Sequence, residues 1–371
     1  MKAALYLFRL DVARPTGVQR YAVELASALA KTEGDHEVEF WTGRGAAGSP
    51  DVQPPGLAVR TPNLNRRLLH LLWTELGRPS FERVAARDAD VVHLLAPTIG
   101  LPTKRPQVVT VHDLLPLQHP EWFPRGPVRR FARSVGMSAR SGAEIIVPST
   151  YVAEQLQSDV GVGPDRVHVV PEGVRLDLGA EAGPAGDLLE RLGLRARRYV
   201  LAVGHLTQRK NLGMVAQAVS SLPEDVPFVV VGGDGPGGAQ VRADITSAAG
   251  GRARLVGHLP DREVRALFEQ AGVFVFPSVS EGFGLPVLEG MAFGAPVVAA
   301  DATCLPEVVG DAGLLVDPND PDAWASAIAR VIEDEAYAAD LIERGRRRAR
   351  EYTWERAAAA TWEVYRKACA R

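Results

Sequence analysis

The chain has 371 residues, of which 46% are hydrophobic and 23% are charged, a composition typical of soluble globular proteins. This length exceeds what one hydrophobic core usually serves, so we expect two domains. The formal net charge of -3 provides no basic field, and nucleic acid is therefore not expected as a partner. The two cysteines, Cys304 and Cys369, indicate neither a disulfide framework nor a cysteine metal site, which favours a reducing, cytoplasmic setting.

The first half contains short apolar runs that are typical of buried parallel strands. These runs are KAALYLF, VEFWTG, DVVHLLAP, QVVTVHD, AEIIVPS and RVHVVPEG. The first is too short for a signal peptide or a membrane span, and we interpret it as a strand. Apolar residues from Val18 to Leu29 recur at helical spacing. This spacing predicts an amphipathic helix over residues 18 to 31 and places Gly17 in a strand-to-helix turn.

The second half repeats the alternation, with strands predicted at RYVLAVGHL, PFVVVGG, ARLVGHL, VFVFPS and APVVAA and helices beginning near residues 211 and 261. The whole pattern predicts two doubly wound α/β domains, residues 1–175 and residues 176–353. Between them, residues 174 to 196 lose strand character and are interpreted as a linker with a capping helix. The helix over residues 354–371 carries a stripe of core residues and is expected to pack back on the first domain; the stripe is Trp354, Ala358, Trp362 and Tyr365.

The segment SEGFGLPVLEG, residues 280 to 290, follows a predicted strand and opens a predicted helix. Gly282 and Gly284 allow a tight turn and a close approach to a ligand. The backbone N–H groups of Phe283 to Leu285 would then point outward at a helix N-terminus, where anions are favoured. A phosphate is therefore the expected occupant of this turn.

Two glutamates flank that turn, Glu281 before it and Glu289 within the helix. A carboxylate accepts several hydrogen bonds and can hold vicinal hydroxyls, so the two could hold opposite ends of one ligand whose phosphate lies between them. A helix cap followed by a surface helix is the alternative interpretation.

Two other strand exits carry candidate polar residues. In VGHLTQRKN, residues 203 to 211, Arg209 and Lys210 could clamp a diphosphate, although such a pair can also be a solvated face. In TVHDLLPLQHPEWF, His112 and Asp113 end a strand. Histidine titrates near neutrality and suits acid–base or hydroxyl-orienting work, with a structural role as the alternative.

Two further patterns are discounted. GGDGPGG, residues 232 to 238, contains G-x-G-x-x-G, but no acidic residue ends the next strand, which favours a plain loop over a dinucleotide site. D-x-D occurs at Asp88 with Asp90 and at Asp320 with Asp322. The first leads into a strand and the second resembles a helix start capped by aspartate, so no metal site is expected.

Two segments, residues 65 to 78 and residues 125 to 140, combine arginines with apolar faces in predicted helices. Basic amphipathic helices can lie on anionic lipid, so peripheral contact with the inner face of a membrane stays open. Core-facing helices with solvated arginines are the alternative.

Several motifs together resemble family 4 of the retaining, nucleotide-sugar-dependent glycosyltransferases, which have the GT-B fold. They cover nearly the whole chain and include TGVQRYAVEL, VGHLTQRKN, VVVGGDGP, LVGHLPDREV, FPSVSEGFGLPVLEGMAFGAPVVAA and LPEVVGDAGLLVDP. The resemblance implies two Rossmann-like domains that face each other across a cleft, an acceptor domain followed by a donor domain. The E-x7-E element of the family corresponds to Glu281 and Glu289.

The resemblance also implies roles for individual residues. Arg209, Lys210 and the backbone of Phe283 to Leu285 would bind the diphosphate, Glu289 the ribose and Glu281 the donor sugar, with Gly282 also in the donor site. The remaining donor-site residues would be Gly17, Gly204, Gly257, His258 and Leu259. His112 would lie near the donor sugar and acceptor, and together with Glu281 and Lys210 it forms the expected catalytic set. Thr16 stands where the family usually has a glycine.

The expected activity is therefore retaining transfer of a hexose from a nucleoside diphosphate sugar to an acceptor hydroxyl, in a glycan, a lipid-linked saccharide or a secondary metabolite. The segment VHDLLPLQHPEWF favours GDP-mannose as donor. Neither metal nor cofactor is expected. A nucleotide-sugar epimerase or phosphorylase of the same fold, and a non-catalytic sugar-nucleotide binding module, stay open as alternatives.

Overall fold

The computed structural model describes residues 1–10, 16–45, 53–176 and 185–371. They form two compact units, each with its own core. Unit 1 comprises Met1–Gly173 together with Trp354–Arg371, and unit 2 comprises Val174–Thr353. Of the predicted linker, residues 177–184 lie outside the described residues.

Unit 1 is built on a parallel seven-stranded sheet, and its strands are β1 (Lys2–Leu7), β2 (Glu37–Thr42), β3 (Val59–Arg60), β4 (Val91–Leu94), β5 (Gln107–Thr110), β6 (Glu144–Val147) and β7 (Val167–Val169). The strand order is β3-β2-β1-β4-β5-β6-β7. Most residues of the central strands are buried because both faces of a parallel sheet are covered. The helices of the first part of unit 1 are α1 (Gly17–Lys31), α2 (Arg66–Leu71), α3 (Phe81–Val84), α4 (Leu115–Gln118), α5 (Arg125–Arg140) and α6 (Thr150–Val160).

Unit 2 contains a parallel six-stranded sheet with strands β8 (Val200–Val203), β9 (Phe228–Val231), β10 (Ala253–Gly257), β11 (Val273–Phe276), β12 (Val297–Ala300) and β13 (Leu314–Val316). The order is β10-β9-β8-β11-β12-β13. Its helices are α7 (Ala185–Leu192), α8 (Leu212–Ser220), α9 (Gly238–Ala249), α10 (Asp261–Gln270), α11 (Leu285–Ala292), α12 (Leu305–Val309), α13 (Pro321–Glu333) and α14 (Glu335–Ala349). Both units are thus doubly wound, as the sequence predicts.

The last helix, α15 (Trp354–Ala370), belongs to unit 1 and packs on α1. The predicted stripe is buried in the core that α15 shares with β1 and β4, and Trp362 is 1% exposed. The buried Tyr365 hydroxyl reaches Nδ1 of His93 in β4 at 2.7 Å. The chain therefore returns to its first core after completing the second.

The segment predicted as one helix over residues 65 to 78 is two elements, because α2 is followed by a π-helical turn, Leu72–Leu76, that ends at Gly77. The predicted helix over residues 125 to 140 matches α5. Within the described part of the chain, no helix combines the length and the apolar character that crossing a bilayer requires.

Candidate active site

The carboxyl ends of β8 and β11 lie side by side at the point where the sheet of unit 2 reverses its winding. The chain proceeds from β8 outward to β9 and β10, and from β11 outward to β12 and β13 on the other side. Ligands of open parallel sheets bind at such a switch point, beyond the carboxyl ends of the strands. Arg209 and Lys210 follow β8, and Glu281 follows β11. The topology therefore brings these charged residues to one place.

Backbone hydrogen bonds join the two loops. The Val279 N–H donates to the Arg209 carbonyl at 2.9 Å, and the Ser278 hydroxyl oxygen lies 3.2 Å from the same oxygen. Asn211, which ends the short helical turn Gln208–Lys210, has a left-handed φ of 51° and anchors its side chain on the Pro318 carbonyl at 2.7 Å. The position of the Arg209–Lys210 pair is thus fixed from both sides.

A single carboxylate oxygen gathers the donors of the site. Oε1 of Glu281 accepts from Nζ of Lys210 at 2.6 Å and from the hydroxyl of Ser278 at 2.5 Å. The Arg209 guanidinium also donates to Oε1, and its Nη1 donates to the Ser280 carbonyl at 3.1 Å. The side chains of Lys210 and Glu281 are each 11% exposed. We refer to Arg209, Lys210 and Glu281 as the charge triad.

Burial and charge compete within the triad. Burial alone would raise the pKa of Glu281, but Lys210 and Arg209 outweigh it and lower that pKa to about 2. Burial lowers the pKa of Lys210, Glu281 opposes this, and Arg209 adds to the lowering. Nζ of Lys210 also lies 4.2 Å from the ring centroid of Phe276, where the aromatic face favours a cation. At neutral pH the carboxylate is therefore ionised.

The loop that follows β12 forms hydrogen bonds with the glycine turn after Glu281. Sγ of Cys304 donates to the carbonyls of Glu281 at 3.3 Å and Phe283 at 3.1 Å, and the Glu281 N–H donates to the Thr303 hydroxyl at 3.3 Å. Gly284 has a φ of +102°, and a Cβ there would lie 2.9 Å from a Leu305 methyl carbon. The tight turn predicted from the sequence is present, and Gly284 caps α11.

The residues of the glycine turn are themselves buried. Gly282, Phe283 and Gly284 are buried, and the Phe283 ring packs edge-on against Tyr352 with centroids 5.8 Å apart. The aromatic residue of the motif is therefore a packing element of unit 2. Leu285 begins α11, and Glu289 lies one turn further along that helix, partly buried.

The GGDGPGG loop after β9 packs against the loop after β8. Gly232 has a φ of +147°, and a Cβ there would lie 2.0 Å from the Gly204 carbonyl oxygen. Its N–H donates to the Gly257 carbonyl at 2.7 Å. The glycines thus serve close backbone packing, and the segments that carry Gly204 and Gly257 to Leu259 lie on either side of the loop after β9, at the carboxyl edge of the sheet.

Unit 1 holds the other candidate residues. His112 follows β5, and its ring lies between two acceptors: Nδ1 is 3.2 Å from Oε1 of Glu172, and Nε2 is 3.0 Å from the Leu95 carbonyl oxygen. The Tyr21 ring meets the imidazole edge-on, with centroids 4.5 Å apart. Burial would lower the pKa of His112, but the hydrogen bond and charge of Glu172, with the Leu95 carbonyl, raise it overall.

Gly17 is the first residue of α1 and is exposed, with no atom within 4 Å of the position that a Cβ would take. Thr16 is the N-cap of α1, and its N–H donates to the Gln19 side chain at 2.9 Å. Residues 11 to 15 before it lie outside the described residues.

The structure thus brings Arg209, Lys210 and Glu281 into contact and gives His112 a buried carboxylate partner. Sequence analysis missed Ser278 and Cys304 in unit 2 and Glu172 in unit 1. Ser278 and Glu172 both stand just after a strand, in FPSVSEG and VVPEG, which is the signal that could have found them.

Of the two D-x-D patterns, the second is a helix start as predicted, since Asp320 accepts from the Ala323 N–H at 2.9 Å. Within the described ranges, no group of three or more His, Cys, Asp or Glu side chains is arranged to hold a metal ion.

Comparison with known families gives two matches. Residues 15–178 match Glycosyltransferase Family 4, and residues 190–348 match Glycosyl transferases group 1. The O-antigen chain mannosyltransferase B of Escherichia coli is 30% identical, with 95% of this chain and 96% of that protein covered. The chain belongs to the family 4, group 1 glycosyltransferases.

This glycosyltransferase is also similar to a second relative in sequence and to a solved structure in fold. The D-inositol 3-phosphate glycosyltransferase of Xylanimonas cellulosilytica is 32% identical, with 96% of this chain and 92% of the relative covered. The crystal structure of Anabaena Alr3699/HepE, in complex with UDP and glucose, has a TM-score of 0.76 at 19% identity, with 99% of this chain and 100% of that chain covered. The two doubly wound units are those of the GT-B fold.

Proposed function

We propose that this glycosyltransferase moves a hexose from a nucleoside diphosphate sugar to an acceptor hydroxyl, with retention of the anomeric configuration and without a metal ion. The charge triad is the observation that carries the proposal. Buried Lys210, partly buried Arg209 and one carboxylate meet at the switch point of the unit 2 sheet, which leaves one positive charge in excess for an anionic ligand.

The main barrier to such a transfer is charge separation, because the diphosphate gains negative charge as the glycosidic C–O bond breaks. Arg209 and Lys210 would stabilise the leaving diphosphate, since prearranged cations in a buried site cost little reorganisation during the reaction. The N-terminus of α11 adds favourable backbone dipoles. In this proposal the cations supply the charge that a divalent metal provides in other transferases.

Retention by a covalent route needs a carboxylate nucleophile next to the anomeric carbon. Oε1 of Glu281 is occupied by Lys210, Ser278 and Arg209, and this argues against such a role. We therefore propose attack from the face that the diphosphate leaves, with a phosphate oxygen of the leaving group accepting the acceptor's proton. Glu281 would position the sugar and the cations, and Glu289 would bind the ribose.

GDP-mannose is the proposed donor. The mannosyltransferase of Escherichia coli aligns over 96% of its own length, which favours a mannosyl donor. The acceptor class extends to glycans, lipid-linked saccharides and small phosphorylated polyols, because the second relative is named for inositol 3-phosphate.

A donor panel tests the proposal. Purified protein is incubated with GDP-mannose, UDP-glucose and dTDP-glucose in EDTA, with mannosides and inositol phosphate as acceptors, and nucleoside diphosphate release is measured. Product analysis by NMR gives the anomeric configuration. We expect acceptor-dependent release in EDTA and a product of the donor's own configuration. A strict metal requirement or an inverted product would contradict the proposal.

The same panel distinguishes the alternatives. An epimerase converts the donor with no acceptor present, and a phosphorylase requires inorganic phosphate. A non-catalytic module shows a thermal shift with one donor but releases no nucleoside diphosphate with any acceptor. Each of these results would replace transfer as the function.

We also propose peripheral contact with an anionic membrane through unit 1. Leu68, Leu71 and Leu76 are 47%, 57% and 65% exposed on neighbouring turns. Arg133 of α5 binds Glu75 at 3.2 Å, so the arginine-rich α5 lies beside this apolar ridge. Apolar side chains next to arginines suit the boundary between anionic headgroups and acyl chains.

Vesicle flotation tests this contact. Wild type is expected to float with phosphatidylglycerol vesicles and not with phosphatidylcholine vesicles. A Leu71→Ser, Leu76→Ser double variant should stay at the bottom of the gradient, whereas the Leu176→Ser control, at another exposed leucine, should behave as wild type. Equal flotation of all three proteins would contradict the proposal.

A further inference from the structure

The His112 ring is held between two groups that can only accept hydrogen bonds. A backbone carbonyl has no proton to give, so Nε2 carries the hydrogen that reaches the Leu95 oxygen at 3.0 Å. An ionised carboxylate is likewise an acceptor only, so Nδ1 carries the hydrogen that reaches Glu172 at 3.2 Å. A histidine that donates from both nitrogens is an imidazolium.

The surroundings support a charge at this position. The side chains of Glu172 and His112 are 7% and 13% exposed, so water screens their attraction little. Asp113, the next residue on the same loop, carries a negative charge that also favours the charged ring. From α1, the Tyr21 ring contacts the imidazole edge-on.

The remaining titratable neighbour is neutral. His93 in β4 is fully buried, and burial together with the charge of His112 lowers its pKa to about 3. It exchanges hydrogen bonds with Thr110 at 2.8 Å and Tyr365 at 2.7 Å, both of which can donate or accept. His93 therefore adds no competing charge, and the contrast between the two histidines follows from their partners: hydroxyls for one, a carboxylate and a carbonyl for the other.

We propose that Glu172 is a positioning residue that fixes the His112 ring and keeps it in the doubly protonated, cationic form. Both N–H groups are then used inside the protein, and the ring has no free nitrogen with which to accept a proton from an acceptor hydroxyl. His112 thus acts through charge and position and is not the general base. This consequence for the reaction rests on the proposed function; the protonation of the ring does not.

NMR tests the protonation independently of any activity. Nitrogen-15 shifts of the histidine rings are recorded between pH 5 and pH 9 for wild type, Glu172→Gln and a control, Glu121→Gln. The control removes the carboxylate of a matched pair, His119 with Glu121, which has the same 3.2 Å separation but is 39% and 62% exposed. Assignment uses His112→Gln, whose spectrum lacks the resonance.

We expect wild-type His112 to stay protonated at both nitrogens to a pH about one unit or more above that in Glu172→Gln, and Glu121→Gln to match wild type. The glutamine of Glu172→Gln keeps an acceptor oxygen but carries no charge. If this variant folds and its His112 ring is neutral, the carboxylate charge of Glu172 is what keeps the ring protonated in wild type. An unprotonated Nδ1 in wild type near neutral pH, or an unchanged titration in Glu172→Gln, would overturn the proposal.

A kinetic experiment then tests the consequence. The pH profile of kcat in wild type should fall on the alkaline side, and in Glu172→Gln this fall should move to lower pH by the shift seen by NMR, with KM for the donor little changed. Glu172→Asp should restore part of the shift. If the alkaline fall of kcat does not follow the NMR titration of His112, the charge of this ring does not contribute to the reaction as proposed. Absence of transfer with every donor counts against the proposed function alone, since the NMR result stands by itself.

Discussion

Glu281 in unit 2 and Glu172 in unit 1 are glutamates with nearly buried side chains, each placed just after a parallel strand and each bound to a residue that the sequence had singled out. Glu281 serves two cations, and Glu172 serves one imidazole. The charge triad therefore keeps one positive charge in excess, whereas the Glu172–His112 pair is balanced. A site built to receive a diphosphate needs the former arrangement.

The two glutamates also differ in the pH range over which they matter. The pKa of Glu281 is about 2, far from neutrality, so its own ionisation does not vary between pH 5 and pH 9. The pKa of His112 is raised from 6.5, so the state of the unit 1 pair changes on the alkaline side of that value. Unit 2 thus supplies constant charge, and unit 1 supplies a charge that depends on pH near neutrality.

The largest expected effect comes from removing the excess charge. Lys210→Ala leaves Glu281 with Arg209 alone, and the triad loses its net positive charge. We expect kcat to fall about 10³-fold, which corresponds to about 4 kcal/mol of transition-state stabilisation. Steady-state kinetics with the donor that the panel selects measures the loss. Arg198→Ala, at a surface ion pair of the same unit, should keep activity within about twofold. Comparable losses in the two variants would show that the effect is not specific to the triad.

Sequence reasoning found the charged residues of unit 2 but not their mutual contacts. The positions of Arg209, Lys210 and Glu281 at strand exits were readable because apolar runs ended just before them. Their convergence depends on β8 lying next to β11, which follows from the strand order of the whole sheet. Glu172 was harder still, since β7 is separated from β5 by β6 and no local pattern pairs its exit with His112.

The second prediction compares the glycine turns of the two units. Gly232→Ala places a methyl group 2.0 Å from the Gly204 carbonyl oxygen at a φ of +147°, so the loops after β8 and β9 must move apart. We expect unit 2 to lose about 3 kcal/mol or more of unfolding free energy. Gly17→Ala meets no atom within 4 Å and should change stability by less than about 1 kcal/mol. Thermal or urea unfolding measures both, and equal effects would show that the packing of the unit 2 loops is not tight.

The fold was more predictable than the site. Helix α1 was predicted to within a residue, and α5 and the start of α10 were predicted correctly, because apolar spacing marks such helices locally. Three short elements were not predicted from the sequence: β3, which has two residues, α12, which has five, and β13, which has three. Elements this short carry too little periodicity to stand out. The π-helical turn Leu72–Leu76 was also missed, since its apolar spacing resembles that of an ordinary helix.

The third prediction concerns acid. The folded pKa of Glu281 lies below its ordinary value of 4.5, so its contribution to stability is present above pH 4.5 and is lost as the pH falls toward 2. The contribution is about 3 kcal/mol at most. Glu281→Gln should be less stable at neutral pH, and its unfolding curve should converge with that of wild type near pH 2. Asp225→Asn is the matched control, because Arg195 and Arg198 share the Asp225 carboxylate on the exposed surface of the same unit, and it should have little effect. A constant difference between Glu281→Gln and wild type across the acid range would contradict the assignment.

The smallest expected effect is the alkaline counterpart in unit 1. The folded pKa of His112 is raised above 6.5, so its contribution is fully present below pH 6.5 and is lost as the pH rises through the folded value. We expect wild type to lose stability as the pH rises from 6 to 9, and Glu172→Gln to lack this loss. Urea unfolding at fixed pH values measures the difference, and Glu121→Gln should follow wild type throughout. The two glutamates stabilise the protein at opposite ends of the pH scale. A double variant of Glu172 and Glu281 should therefore lack both pH-dependent losses of stability, and its change in unfolding free energy should be the sum of those of the two single variants. The reason is that the residues belong to separate compact units with no shared partner among their described contacts.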